Sequence, residues 1–193
     1  MHRKLVVAVT GVPGTGKTHF VAGLERLRGT SVIEINDIVH SRRAFSGTDR
    51  FGTKIVRLGA LTRFVRSEIS RVSGSVVVVV GHLAPDIGVK YDIAIVLRCR
   101  LSTLERRLKG RGYPRGKIND NLLAEAFDYC GNAIAHRSRE VYEVESATEK
   151  KAAAAYIGAI ADGRAHPKKP TSRQIERFPE LKARIEQGML KEE

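Results

Sequence analysis

Gly11-Val12-Pro13-Gly14-Thr15-Gly16-Lys17-Thr18 follows an apolar run, Leu5 to Val9, and precedes a helical pattern carrying Phe20, Leu24 and Leu27. Strand, loop and helix are the context that the pattern G-x-x-x-x-G-K-[ST] requires, so the stretch reads as a phosphate-binding P-loop. Backbone N–H groups of such a loop, with the positive end of the following helix, form a nest for phosphate oxygens. Gly11, Gly14, Thr15 and Gly16 belong to that cradle, the glycines leaving out the Cβ atoms that would block it. Lys17 is placed to neutralise the β- and γ-phosphates, and Thr18 to set its hydroxyl on Mg²⁺. The expected ligand is ATP or GTP.

Working outward, 193 residues with 42% hydrophobic content suffice for one domain with a full core. Cys99 and Cys130 make neither a disulfide framework nor a metal-ligand spacing, which fits a reducing compartment, and a cytoplasmic location is expected. No apolar run is long enough to span a membrane. The net charge of +13 is concentrated: residues 41–73 hold eight Lys/Arg against Asp49 and Glu68, and residues 98–117 hold eight against Glu105. The rest of the chain sums to zero. Two such fields attract nucleotides, RNA or acidic protein surfaces, unless they are simply solvated faces.

Along the chain, Lys4 to Thr10 reads as a buried strand, Lys17 to about Arg28 as a helix, and Ser31 to Ile35 as a second strand. Asn36 and Asp37 signal a helix start, and Ser46 to Thr53 reads as a loop. Leu61 to Val72 has the apolar spacing of an amphipathic helix; Val76 to Val80, five valines, suits a central strand covered on both faces. Tyr91 to Leu97 is a further strand, with Arg98 and Arg100 at its end offering phosphate or RNA contacts or plain surface charge. Ser102 with Glu105 resembles a capping box. Gly110 to Lys117 reads as a basic flap before a long helix from about Asn119, with Leu123, Phe127, Cys130 and Ile134 inward. Val141 to Glu145 is a fifth strand, and Ser146 with Glu149 caps a helix ending near Asp162.

The expected fold is therefore a three-layer α/β/α P-loop architecture with a five-stranded parallel sheet. Residues 1–162 form the domain, with 36–60 as acceptor-binding segment and 110–118 as lid. Residues 163–193 form a basic tail, either a docked helix or disordered. The guanine-reading Asn/Thr-Lys-x-Asp of a GTPase is absent. The Pro-Gly-Thr-Gly-Lys-Thr wording is shared with ring-forming AAA-type ATPases, but their strand ending in Asp-Glu is missing and the chain is short for their helical second domain. A nucleoside monophosphate kinase-like layout remains.

The phosphate loop, the strand ending Gly81-His82, Val96-Leu-Arg-Cys99, Arg107-Leu-Lys-Gly-Arg-Gly-Tyr113, Lys117-Ile118 and Asn121 with Ala124-Glu125 together resemble the adenylate kinase isoenzyme 6 family, its archaeal members above all, over residues 4–162. The resemblance implies phosphoryl transfer from ATP to AMP or another nucleoside monophosphate, with ATPase activity and a role in late maturation of the small ribosomal subunit and its rRNA. A small-subunit ribosomal protein and pre-rRNA are the implied partners. It also implies that Gly14, Gly16, Lys17, Thr18 and His19 contact the ATP phosphates, and that Arg111 closes onto them. His82 matches the histidine of the family's acidic-x-His motif and would orient an attacking water, unless it is a hydrogen-bonded structural residue.

Two positions depart from the family. Val80 stands where the family has Asp or Glu, which removes the usual anchor for Mg²⁺ and its water; Asp37 and Asp86 are the candidate substitutes, whereas Asp92 falls at the wrong strand end. Arg50, Lys54 and Arg57 make the acceptor side unusually basic. Tyr113 is read as stacking on a base or packing against the flap. A nucleotide-dependent assembly factor with little or no kinase activity, or a binder that has lost catalysis, are the rival readings.

Overall fold

The computed structural model describes residues 4–164, 167–171 and 174–189. His166, in the linker-like start of the tail, lies outside the described residues. All five valines of β5 (Val76–Val80) are buried, as a strand covered on both faces requires. Beside it run β1 (Leu5–Thr10) and β2 (Thr30–Glu34), and β6 (Tyr91–Leu97) and β7 (Ser138–Val144) complete a five-stranded parallel sheet in the order β2-β5-β1-β6-β7. One face packs on α1 (Lys17–Leu24) and α7 (Ala147–Ala161), through Phe20, Val21, Leu24, Tyr156 and Ile157. The other packs on α2 (Ile35–Ser41), α3 (Leu58–Arg71), α4 (Leu101–Gly110), α5 (Arg115–Ala126) and α6 (Tyr129–Ala135). The expected three-layer P-loop kinase-like fold is observed.

Several local expectations are corrected. Helix α1 stops at Leu24, short of Arg28. Residues 46–53 are not an open loop, because Phe45–Thr48 (β3) and Lys54–Val56 (β4) pair as an antiparallel hairpin. The Asp49 carboxylate closes its turn by accepting from the Phe51 and Thr53 N–H groups, both at 2.8 Å. The Ser146 capping box is present with both reciprocal bonds, but Ser102 caps nothing: α4 begins at Leu101, and the Leu101 N–H donates to Glu180 from the tail. Glu105 instead pairs with Lys109 and Arg184.

The long helix from Asn119 is in fact two. Asp128 takes a left-handed conformation, φ 51°, and caps α6 by accepting from the Gly131 N–H. That break rotates the inward face, so Ile118, Leu122 and Ala126 are buried with Cys130 and Ile134, whereas Leu123 is 38% and Phe127 57% exposed. The flap shrinks to a turn, since α4 runs through Gly110 and α5 starts at Arg115.

Arg98 explains why the break sits at Asp128. Its side chain is fully buried, with bonds of 2.9 Å to Glu125, 2.8 Å to Asp128 and 2.7 Å to Glu143. A buried cation must be paired on every side, and those partners come from α5, the α6 cap and β7. Arg98 is thus a structural cation and not a surface contact for phosphate or RNA. The tail extends the same network: the Ile175 N–H donates to Glu143, buried Arg177 pairs with Glu145 and Glu180, and Leu181 of α8 (Phe178–Glu186) enters the core, with Pro179 tolerated in the helix's first turn.

Arg98→Met leaves three carboxylates without their cation and should lower the unfolding free energy by about 3–5 kcal/mol. Urea denaturation measures this; a loss within experimental error would show that the network is not what fixes this end of the sheet.

Candidate functional site

The P-loop lies at the carboxyl end of β1, where parallel α/β sheets bind ligands. Gly11 has φ +131°, and a Cβ there would run into the Leu97 carbonyl of the neighbouring strand, so only glycine lets the chain leave the sheet at this point. Gly16 has φ +100° and caps α1; a Cβ on it would meet nothing within 4 Å, which leaves the helix N-terminus open. Thr15 is buried and its hydroxyl donates to the Val12 carbonyl at 3.0 Å, so it holds the loop's shape. Lys17 Nζ arches back to the Gly11 and Val12 carbonyls at 2.7 and 3.0 Å. Thr18 and His19 follow in the first turn of α1, both exposed.

Burial of the Lys17 ammonium pushes its pKa down to about 8; Arg111 acts in the same direction, while Cys130 and Glu34 oppose it. Arg111 therefore lies within electrostatic reach of Lys17, at the C-terminal end of α4. The loop is braced from beneath by Arg107, whose Nη1 donates to the Gly14 carbonyl at 2.9 Å. Arg107 is a residue that sequence reading missed as a loop contact; its i+4 spacing from Arg111 on a helix was the available signal.

In front of the loop is a cavity of about 510 Å³, lined by residues from Pro13 through α2 and the β3-β4 hairpin to α5 and α6. Its cations are Lys54, whose Nζ lies 4.4 Å from the Phe45 ring centroid, and Lys117, 4.6 Å from the Tyr113 ring centroid and bonded to the Thr53 hydroxyl at 2.7 Å. Asn36 and His40 of α2 add polar groups. Tyr113 thus carries a lysine against its ring. Asp86, one proposed substitute for the missing acid, accepts from the Tyr129 hydroxyl at 2.5 Å.

His82 stands at the meeting point. Burial lowers its pKa to about 4, and Lys17 and Lys117 both push in the same direction. The imidazole is neutral at physiological pH; it lines the same cavity as Pro13 of the loop and Lys117, within electrostatic reach of Lys17. A second cavity, about 640 Å³ and lined by Lys4, Asp92, Arg139 and Tyr156 among others, lies at the opposite end of the sheet. Asp92 accepts from the Val6 N–H there, as far from the P-loop as its strand position suggested.

The basic segments are partly spent on the fold. Arg42 pairs with Glu68, Arg57 donates to the Arg43 carbonyl and Arg66 to that of Gly88. No helix among the described residues is long and apolar enough to cross a membrane. No group of three or more His, Cys, Asp and Glu among them forms a metal cage. That donor set still suits Mg²⁺, which binds through one or two protein oxygens plus substrate phosphates and water. Thr18 is the sequence-predicted ligand.

A family model described as "AAA domain" matches residues 7–128, from β1 to the cap of α6. The chain is 32% identical over 146 residues to a protein of Methanosarcina barkeri named "Putative adenylate kinase", covering 74% of this chain and 77% of that one. It is 32% identical over 190 residues to one of the same name from Archaeoglobus fulgidus, covering 97% and 99%. Among solved structures, shikimate kinase from Acinetobacter baumannii in complex with shikimate superposes with a TM-score of 0.58 at 13% identity, over 86% of this chain and 97% of that one, a likeness of fold. The P-loop, the two-sided parallel sheet and these relatives agree: the chain belongs to the adenylate kinase-like family of P-loop proteins, within the reach of the AAA-domain model.

Proposed function

We propose that the protein transfers the γ-phosphoryl group of ATP to a nucleoside monophosphate, AMP being the leading candidate. The observation that carries this reading is that Pro13 of the P-loop and His82 line the same cavity as Lys54 and Lys117, with Lys17 within electrostatic reach of His82. Donor and acceptor seats adjoin there. Phosphoryl transfer asks the protein to align two phosphates and offset their charge, with little covalent chemistry of its own. Lys17 and the loop N–H groups hold the donor phosphates, and Arg111 adds charge from the end of α4. Lys54 and Lys117 hold the acceptor phosphate; Asn36 and His40 supply hydrogen bonds. When bound, Mg²⁺ supplies further charge neutralisation on the ATP phosphates, with Thr18 as a ligand. Neutral His82 accepts or donates one hydrogen bond without adding a third cation between the phosphates.

ATPase activity belongs to the same proposal: with the acceptor seat empty, His82 orients a water in its place. So does a role with a small-subunit ribosomal protein and pre-rRNA, which rests on the family resemblance and on exposed arginines such as Arg50 and Arg63. A cytoplasmic setting is part of this reading.

Incubation with labelled ATP, Mg²⁺ and each nucleoside monophosphate, followed by product separation, should place label in a nucleoside diphosphate. Label appearing only as inorganic phosphate, whatever the monophosphate, would replace the kinase by the ATPase. Lys17→Ala should lower kcat/KM by about 100- to 1000-fold. The low pKa of Lys17 adds a pH signature. Phosphate binding restores its proton, so at pH 8 ATP binding should take up about half a proton. Affinity should fall as pH rises above about 8. Calorimetry in buffers of different ionisation enthalpy detects the uptake, and its absence would mean that Lys17 is fully protonated before ATP arrives.

A further inference from the structure

Resting on the ATP-binding reading above, we propose that Glu34 is the carboxylate that anchors the hydrated Mg²⁺ of bound ATP, taking over the task of the acidic residue that Val80 displaces. The strand register places it. Glu34 is the last residue of β2 and pairs across to Val80, the last residue of β5, which in turn pairs with Val9 of β1. Paired residues of a parallel sheet project from the same face. That face is the one covered by α1: Val9, Val78 and Val80 pack with Phe20, Val21 and Leu24, and Val32, two residues before Glu34, packs against the same cluster. Lys17 and Thr18 open α1 on this side. A carboxylate lost from one strand is therefore regained one strand over, at the same height and on the same face.

Its chemistry agrees with the placement. Lys17 and Glu34 each feel the other's charge. Burial raises the Glu34 pKa, and the neighbouring Asp37 adds to it. Among the described residues no hydrogen bond or ion pair engages this half-buried carboxylate, a costly state unless a cation or water meets it. The other acids at this end are less apt. Asp86 is held by Tyr129 and lines the cavity in front of the loop, and Asp37 is exposed in the first turn of α2. Among the described residues no group of three or more His, Cys, Asp and Glu includes Glu34, so the site forms only with the ATP phosphates and Thr18.

The test separates metal from nucleotide. ATP affinity is measured by calorimetry with Mg²⁺ and with EDTA, and Mn²⁺ binding to the protein–ATP complex by electron paramagnetic resonance, for the wild type, Glu34→Gln and Glu34→Gln/Val80→Asp. Glu34→Gln should bind ATP in EDTA at least as tightly as the wild type, because a negative charge near the phosphates is gone, and should weaken Mn²⁺ binding by roughly 10- to 100-fold. Val80→Asp in that background should recover part of the loss. Equal Mn²⁺ affinity in wild type and Glu34→Gln would overturn the assignment, as would loss of ATP binding by Glu34→Gln in EDTA, which marks a structural role. Failure of the wild type to bind ATP at all would instead bring down the ATP-site reading, and the Glu34 assignment with it.

Discussion

The buried Arg98 cation holds the working end of this molecule together. The Arg98 guanidinium follows β6 directly and is enclosed by carboxylates from α5, the α6 cap and β7. Burying an ion is expensive, and the cost is offset only when every hydrogen-bonding direction is met. The chain meets it by breaking a helix at Asp128 and by bringing Glu125 inward, where it also accepts from the Cys99 N–H at 3.0 Å. Three segments distant in sequence are thereby locked at the carboxyl end of the sheet.

The position of the phosphate loop follows from that lock. Leu97, just before Arg98, presents the carbonyl against which Gly11 turns, and Arg107 of α4 grips the Gly14 carbonyl from the same side. Glu180 and Arg184 of α8 tie the tail to α4 at Leu101 and Glu105. The loop is thus preorganised, its N–H groups fixed before nucleotide arrives, which is the condition under which charge stabilisation is effective. The cavity side is held by the Lys117–Thr53 bond and the approach of Phe51 to Gly116, and it is the seat proposed for the acceptor.

The fold was legible because its signals are local. Five consecutive valines, a glycine-lysine loop between strand and helix, and the Ser146 capping box each carry their meaning within a few residues. What escaped reading depends on partners far along the chain. Nothing around Arg98 announces burial, and the inward register of Leu123 and Phe127 fails because Asp128 interrupts the 3.6-residue period. The hairpin at Phe45–Val56 hides behind Ser, Gly and Thr. Glu34 looks like the end of an apolar run, and its place opposite Val80 exists only once β2 is registered on β5. In the candidate site, the turn geometry of Gly11 to Thr18 was readable, and residues 36–60 were read as a segment without His40 being singled out, whereas the Arg107 contact to the loop was not read.

The proposed transfer needs two adjoining seats, a donor loop and a lysine-lined cavity whose wall includes a neutral histidine. A crystal structure with a non-hydrolysable ATP analogue, Mg²⁺ and AMP bound together tests that junction directly. The expected result is the AMP phosphate between Lys54 and Lys117, with its oxygen turned toward His82 and the γ-phosphate of the analogue. AMP seated instead in the cavity at the opposite end of the sheet, by Lys4 and Arg139, with the lysine-lined cavity empty, would contradict it.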